Sequence, residues 1–298
     1  MALVGRSQTR LGSRGALFWL RPTRATLCVP RRTGVDSPPM SLLEGKKGLV
    51  LGLPNDRSIA YAIAKSAHDH GAQLGISNLP GEKMQNRAAK AMKSGGFDDG
   101  KLYELDVADD ASLDAMFEKV TADFGKIDFI VHSLAFANKD YLAIGKFLET
   151  PREVFKQACD ISAYSLIELA RRAAPIMNDG GSIIAMTYLG SDRAVPGYNV
   201  MGVAKAALES TSRYLAYELG ERQIRVNTIS AGPVRTLSAM AVGGIDEMFD
   251  HTTKKAPLKR NIEADEVGKT AVYLLSDLSS GVTGENIYVD SGFNIVGL

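Results

Sequence analysis

Three residues within one stretch of the chain have types and spacing that could do chemistry: Tyr188, Tyr198 and Lys205. Tyr198 and Lys205 are seven positions apart, and seven steps along a helix return to nearly the same face about two turns on. An ammonium near a phenol stabilises its phenolate or sharpens the phenol as a hydrogen-bond donor. The same spacing also suits a tyrosine at a helix start followed by a solvated lysine. Far upstream, Gly52-Leu53-Pro54-Asn55-Asp56-Arg57-Ser58-Ile59-Ala60 places one glycine at a turn and a serine at a helix start. There a hydroxyl and unsatisfied backbone N–H groups could hold a pyrophosphate, although an ordinary N-cap serine gives the same pattern.

The elements that must position these residues alternate along the chain. Short apolar runs at 48–52, 74–77, 102–105, 129–132, 181–186, 225–230 and 286–289 read as strands. Between them lie helical stripes, including a long helix over 152–174 stopped by Pro175 and another over about 199–219 closed by Gly220. Seven strands alternating with helices predict a single-domain, Rossmann-type α/β fold over residues 41–298, with a doubly wound parallel sheet. Such sheets bind ligands at the carboxyl ends of their strands, and the turn at Gly52 is one such end. The GxGxxG fingerprint is absent. At the second strand's end, Asn78-Leu79-Pro80-Gly81 offers neither an acid for a ribose 2′-hydroxyl nor an arginine for a 2′-phosphate. Lys83 and Arg87 keep NADPH open beside NADH.

The combined marks resemble the short-chain dehydrogenase/reductase superfamily and, within it, the FabI-type enoyl-acyl carrier protein reductases, over essentially all of residues 41–298. They are the turn Gly52…Ser58-Ile59-Ala60, the strand end His132-Ser133-Leu134-Ala135-Phe136-Ala137, the set Tyr188…Tyr198…Lys205, and the run Ile229 to Leu237. Ordinary ketoreductases of the superfamily carry Tyr-x-x-x-Lys and a serine about thirteen residues before the tyrosine. Here those positions hold Gly202 and Ala185, so polarising a ketone by a Ser-Tyr pair is not available. Ala135 stands where the enoyl reductases usually have glycine.

The resemblance implies reduction of a trans-2-enoyl thioester on acyl carrier protein, with NADH, in type II fatty acid synthesis. It implies that Tyr198 stabilises the enolate, that Lys205 holds the nicotinamide ribose, and that Tyr188 positions the thioester or acyl chain. Ser58 and Ile59 would hold the pyrophosphate, Asp106 and Val107 the adenine, Leu134 the adenine-ribose side, and Thr236 the phosphates near nicotinamide. Gly52, Leu79 and Val234 complete the expected cofactor set, and Ala137 and Leu237 the substrate set. A homotetramer built through the long helices is also implied. The rival readings are a short-chain 3-ketoacyl reductase and a non-catalytic nucleotide-sensing protein on the same fold.

Composition bounds the rest. Of 298 residues, 45% are hydrophobic and 23% charged, an ordinary globular balance. Residues 1–40 hold seven arginines and one acid, which leaves the remaining 258 residues at −5. That mildly acidic body argues against a nucleic-acid partner. The leader has four prolines and no hydrophobic period, and reads as a disordered segment carrying no chemistry: an organelle transit peptide or sequence upstream of a true start at Met40. Its longest apolar run, 16–20, is far short of the roughly twenty residues of a membrane span. The expectation is a cytoplasmic protein, or a plastid or other organellar one if the leader targets it. Cys28 and Cys159 lack metal-type or disulfide spacing. His132 reads as a buried strand-end histidine with one hydrogen bond, and with His68, His70 and His251 it assembles no metal set. The small, apolar segment from Ser238 to Phe249 suits a lid over an acyl chain or a short surface helix.

Overall fold

The inner strands of the sheet are buried on both faces, so their residues alternate between two cores rather than between core and water. On β1 (Lys47–Leu51), Val50 joins one hydrophobic cluster while Leu49 and Leu51 join the other. On β5 (Met177–Thr187), Ile184 and Met186 face the first side and Ile183 and Ala185 the second. The remaining strands are β2 (Gln73–Asn78), β3 (Lys101–Glu104), β4 (Ile127–His132), β6 (Arg225–Ala231) and β7 (Asn286–Val289). They form one parallel sheet in the order β3-β2-β1-β4-β5-β6-β7. The structure is a computed structural model and describes residues 41–236, 239 and 245–297, which belong to one compact unit. The leader of residues 1–40 and the substrate position Leu237 lie outside the described residues.

Helices α1 (Ile59–Asp69), α2 (Glu82–Gly95) and α8 (Ala264–Leu275) cover the first face. The second is covered by α3 (Asp110–Phe124), α5 (Ser165–Ala173) and α6 (Asn199–Glu218). The doubly wound fold and all seven strands expected from the sequence are present. The long helix expected over 152–174 is not continuous. It consists of α4 (Arg152–Cys159), a π-helical turn over Asp160–Tyr164, and α5. The turn brings Ser162 and Ser165 to the sheet: Ser162 Oγ accepts from Phe136 N at 3.0 Å, and Ser165 Oγ lies 2.8 Å from His132 Nε2. Hydroxyl partners on the neighbouring strand end thus accompany the break in the i→i+4 ladder, which no hydrophobic period reports.

Strand order reverses between β1 and β4, so the crevice of the fold opens where Gly52 follows β1 and Ser133 follows β4. Helix α1 starts at that crevice, and its placement depends on how closely it can lie against α8. At Gly268 of α8 a Cβ would fall 2.3 Å from Ser66 Oγ and 2.7 Å from the Ala62 carbonyl oxygen, both on α1. The serine could turn away, but the backbone could not. Gly268→Ala should therefore lower unfolding free energy by about 1–3 kcal/mol. Urea denaturation checks this: the midpoint drops while the slope with denaturant stays that of the native chain.

Candidate active site

Lys205 lies in the first half of α6 and is only 4% exposed. Its ammonium donates to the Met186 carbonyl at 2.8 Å and the Leu134 carbonyl at 3.4 Å. It therefore ties α6 to the carboxyl ends of β5 and β4, and retains one N–H of its three. Burial pushes the ammonium down to about 8, with Glu209 one helical turn away acting in the opposite direction.

Tyr198 is not part of the helix that carries Lys205. It is the residue before α6, and Asn199 follows it with φ of 43°, a left-handed conformation that asparagine tolerates better than most residues. The Asn199 side chain donates to the carbonyls of Tyr141 and Ala143 at 2.7 and 2.8 Å, which fixes this start. The phenol is thus aimed by a turn rather than by helical periodicity. No hydrogen bond joins it to Lys205, whose bonds go to carbonyls instead, so the phenol–ammonium pair suggested by the spacing is not formed directly. Burial raises the Tyr198 hydroxyl above the ordinary phenol range, with Tyr188 and Glu209 adding to the effect. It is held as a neutral donor.

Tyr188 follows β5 and meets Tyr198 edge-on, with ring centroids 4.8 Å apart and planes at 67°. Its hydroxyl donates to Met248 Sδ at 2.8 Å, and burial, with the Asp290 charge, pushes it up to about 12. Met248 belongs to α7 (Ile245–Lys255), whose Phe249 is buried under the Arg235 guanidinium 4.5 Å from its ring centre. The part of the 238–249 segment that is described here, residue 239 and the start of α7, includes this packed helix; 238 and 240–244 lie outside the described residues.

Two glycines make the tyrosine pair possible. A Cβ at Gly190 would lie 2.4 Å from Tyr198 Cδ1, and one at Gly202 would lie 2.5 Å from the Gly190 carbonyl. The position four after Tyr198, where ketoreductases carry lysine, therefore has no room for a side chain. Ala185 is wholly buried in the core, so its place offers no hydroxyl to a substrate either. Ala137 and Tyr198 both pack against the cluster of Leu142, Ala158, Val200 and Met201.

At the other end of the crevice, Ser58 is the N-cap of α1: its Oγ accepts from Tyr61 N at 3.1 Å and donates to the Asn55 carbonyl at 2.8 Å. The hydroxyl is committed to the cap, while the Ile59 and Ala60 amides have no acceptor among the described residues. At Gly52, with φ of +86°, a Cβ would meet the Ser133 carbonyl oxygen at 2.5 Å and Leu134 Cδ2 at 2.7 Å. This bare turn and the free amides fit a dinucleotide laid across the switch point. Leu79 is 52% exposed beyond β2. Asp106 Oδ1 accepts from Ala108 N at 3.0 Å, and Val107 packs on the core beneath it. Val234 lies against the sheet, and Thr236 Oγ1 accepts from Ala239 N at 3.0 Å. His132 is fully buried and held neutral, pushed down to about 3 by burial with Lys205 adding. Ser165 Oγ donates to the Ile161 carbonyl, so His132 Nε2 carries the proton toward Ser165 and Nδ1 is left without a partner. The one-bond reading of this histidine holds.

The family profile described as Enoyl-(Acyl carrier protein) reductase matches residues 52–294. The chain belongs to this family. It is 51% identical over 256 residues to the NADH-dependent enoyl-[acyl-carrier-protein] reductase FabI of Synechocystis sp., covering 86% of this chain and 99% of the relative. It is 50% identical over 254 residues to the NADPH-dependent FabI of Staphylococcus aureus, covering 85% and 98%. The Bacillus cereus enoyl-acyl carrier protein reductase, solved with NADP+ and indole naphthyridinone, superposes with a TM-score of 0.84 at 47% identity, covering 87% of this chain and all of that one. For a member of this reductase family, the distinctive parts of the site that the sequence reading did not single out are Asn199, Gly190, Met248 and Glu209. Of these only Glu209, four residues after Lys205, was findable by helical spacing.

A lysine whose pKa is lowered loses its charge at lower pH than usual. The affinity for NADH should therefore fall as pH rises through about 8 rather than through the ordinary value of 10.5. Nicotinamide fluorescence titrations between pH 6.5 and 10 measure this, and Lys205→Arg should flatten the profile because a guanidinium stays charged.

Proposed function

We propose that this chain reduces the carbon–carbon double bond of a trans-2-enoyl thioester carried on acyl carrier protein, with NADH, in type II fatty acid synthesis. The observation that carries the reading is the Tyr188–Tyr198 pair packed edge-on, with no room for a side chain at Gly202, where ketoreductases carry lysine. Reduced nicotinamide, when bound, supplies a hydride to the β-carbon. The Ile59 and Ala60 amides and the bare turn at Gly52 receive the pyrophosphate. Lys205 uses its remaining N–H for the ribose hydroxyls, while its bonds to the ends of β4 and β5 keep it in place.

As the β-carbon is reduced, negative charge collects on the thioester oxygen. The Tyr198 hydroxyl, a neutral donor, donates to that oxygen where the charge develops. The edge of Tyr188 fixes the Tyr198 ring, and its hydroxyl, turned to Met248, closes the side of the pocket toward α7. Ala137 lines the space beside the phenol. The Asp106 and Val107 segment takes the adenine side, with Leu79 and Leu134 flanking it and Val234 and Thr236 toward the nicotinamide.

The preference for NADH rests on Glu104. Its carboxylate accepts the Gly81 N–H at 3.0 Å, at the start of α2, where a 2′-phosphate would be received. Lys83 and Arg87 are exposed on α2, but the amide beside them is already taken by an anion. Acyl carrier protein as the donor of substrate and a homotetramer built on the exposed faces of α4, α5 and α6 belong to the same reading. Exposed Phe155, Ile167 and Tyr217 on those helices support the assembly. Among the described residues no helix is long and apolar enough to cross a membrane.

Tyr198→Phe should lower kcat with crotonyl thioester about 10²–10³-fold and change KM little, whereas Tyr188→Phe should cost less and act mainly on KM. NADH oxidation at 340 nm measures both, and turnover of a 3-ketoacyl thioester in its place would overturn the reading. Glu104→Gln should raise kcat/KM for NADPH relative to NADH by about tenfold, read in the same assay with each cofactor.

A further inference from the structure

Glu209 has no role in the reaction assigned above, yet it bonds the chain on both sides of Tyr188. Its Oε1 accepts from Thr187 Oγ1 at 2.6 Å and from Ser191 Oγ. Thr187 is the last residue of β5, and Ser191 ends the 3-10 turn Leu189–Ser191, so the two bonds hold the chain on either side of Tyr188. Ser191 Oγ also lies 2.9 Å from the Tyr188 carbonyl. Glu209 itself sits on α6, one turn beyond Lys205, on the helix that Tyr198 precedes.

We propose that Glu209 is a positioning residue of the reduction. Its carboxylate clamps the Tyr188 turn onto α6, one helical turn beyond Lys205. The surroundings make its charge consequential. Beside Lys205 stands His132 from β4, held neutral by burial, and the phenols of Tyr188 and Tyr198 are neutral too. Of the other groups facing this region, Tyr288 on β7 is raised by burial, Asp192 and Glu209, and Asp290 acts on Tyr188. Among the described residues, Glu209 is thus the anion that supports the buried cation. Two hydroxyl donors on one carboxylate oxygen keep it aimed.

The inference rests on the enoyl reductase reading, and its test separates the two. Glu209→Gln retains a carbonyl oxygen for Thr187 and Ser191 but removes the charge. The alkaline limb of NADH binding, followed by nicotinamide fluorescence, should move down by about half a pH unit or more. At pH 8.5, kcat/KM should fall about threefold while remaining within about twofold of wild type at pH 6.5. Glu209→Asp should restore the limb. Glu209→Ala removes both acceptors and should lower kcat about tenfold at every pH. A Glu209→Gln limb that coincides with wild type, or a Glu209→Ala protein with wild-type kcat, overturns the proposal. If Glu209→Gln does not fold, Ser191→Ala carries the test: loss of one tie should lower kcat about threefold with NADH affinity unchanged, and unchanged kcat overturns the clamp. A wild-type protein that binds NADH but turns over no enoyl thioester fails the functional reading alone, since the binding limb still tests Glu209.

Discussion

A buried cation sets the terms for this structure. Removing an ammonium from water is costly unless its protons find acceptors, and Lys205 is enclosed at the carboxyl edge of the sheet. The acceptors are two main-chain carbonyls, of Met186 and Leu134, on neighbouring strand segments that only the parallel register of β4 and β5 brings side by side. That register pairs His132 with Ala185, so a slip of one residue would send the alternating side chains of β5 to the opposite core and leave the ammonium facing the wrong group. The hydrophobic alternation of the sheet and the charge at its edge therefore specify the same alignment.

The same constraint explains why the adjoining side chains are so small or so uncharged. Helix α6 must come near enough for Lys205 to reach the strand ends, and it does so over Gly190 and Gly202. His132, on the strand beside the ammonium, is kept neutral, so no second positive charge competes. The phenols remain protonated, which suits them to donate to an oxygen that gains charge and to withdraw nothing before it does.

Most of the scaffold was legible in the sequence because burial on both faces of a parallel sheet leaves short uninterrupted apolar runs, and helical stripes between them leave a different period. The turn at Gly52 and the buried character of His132 could be read for the same reason. What the sequence did not convey was geometry that depends on partners distant in the chain. The π-helical turn within the expected helix 152–174 accompanies hydroxyl bonds to Phe136 and His132. The departure of Tyr198 from α6 depends on Asn199 reaching back to the carbonyls of Tyr141 and Ala143. Helical spacing suggested a direct phenol–ammonium link between Tyr198 and Lys205 that is not formed, because backbone carbonyls, which have no sequence signature, claimed the ammonium.

The π-helical turn also bears on how the chain can change length. In an ordinary helix, losing one residue rotates everything beyond it by about 100° and is tolerated only where both ends can adjust. Between Asp160 and Tyr164 the backbone already carries one residue more than an α-helix of that rise would hold. Deleting it would straighten the helix and satisfy its backbone better, yet it would swing Ser162 and Ser165 out of line with the strand ends they now meet. The length of this helix is therefore set by the sheet beneath it, as a spacer is set by the gap it fills.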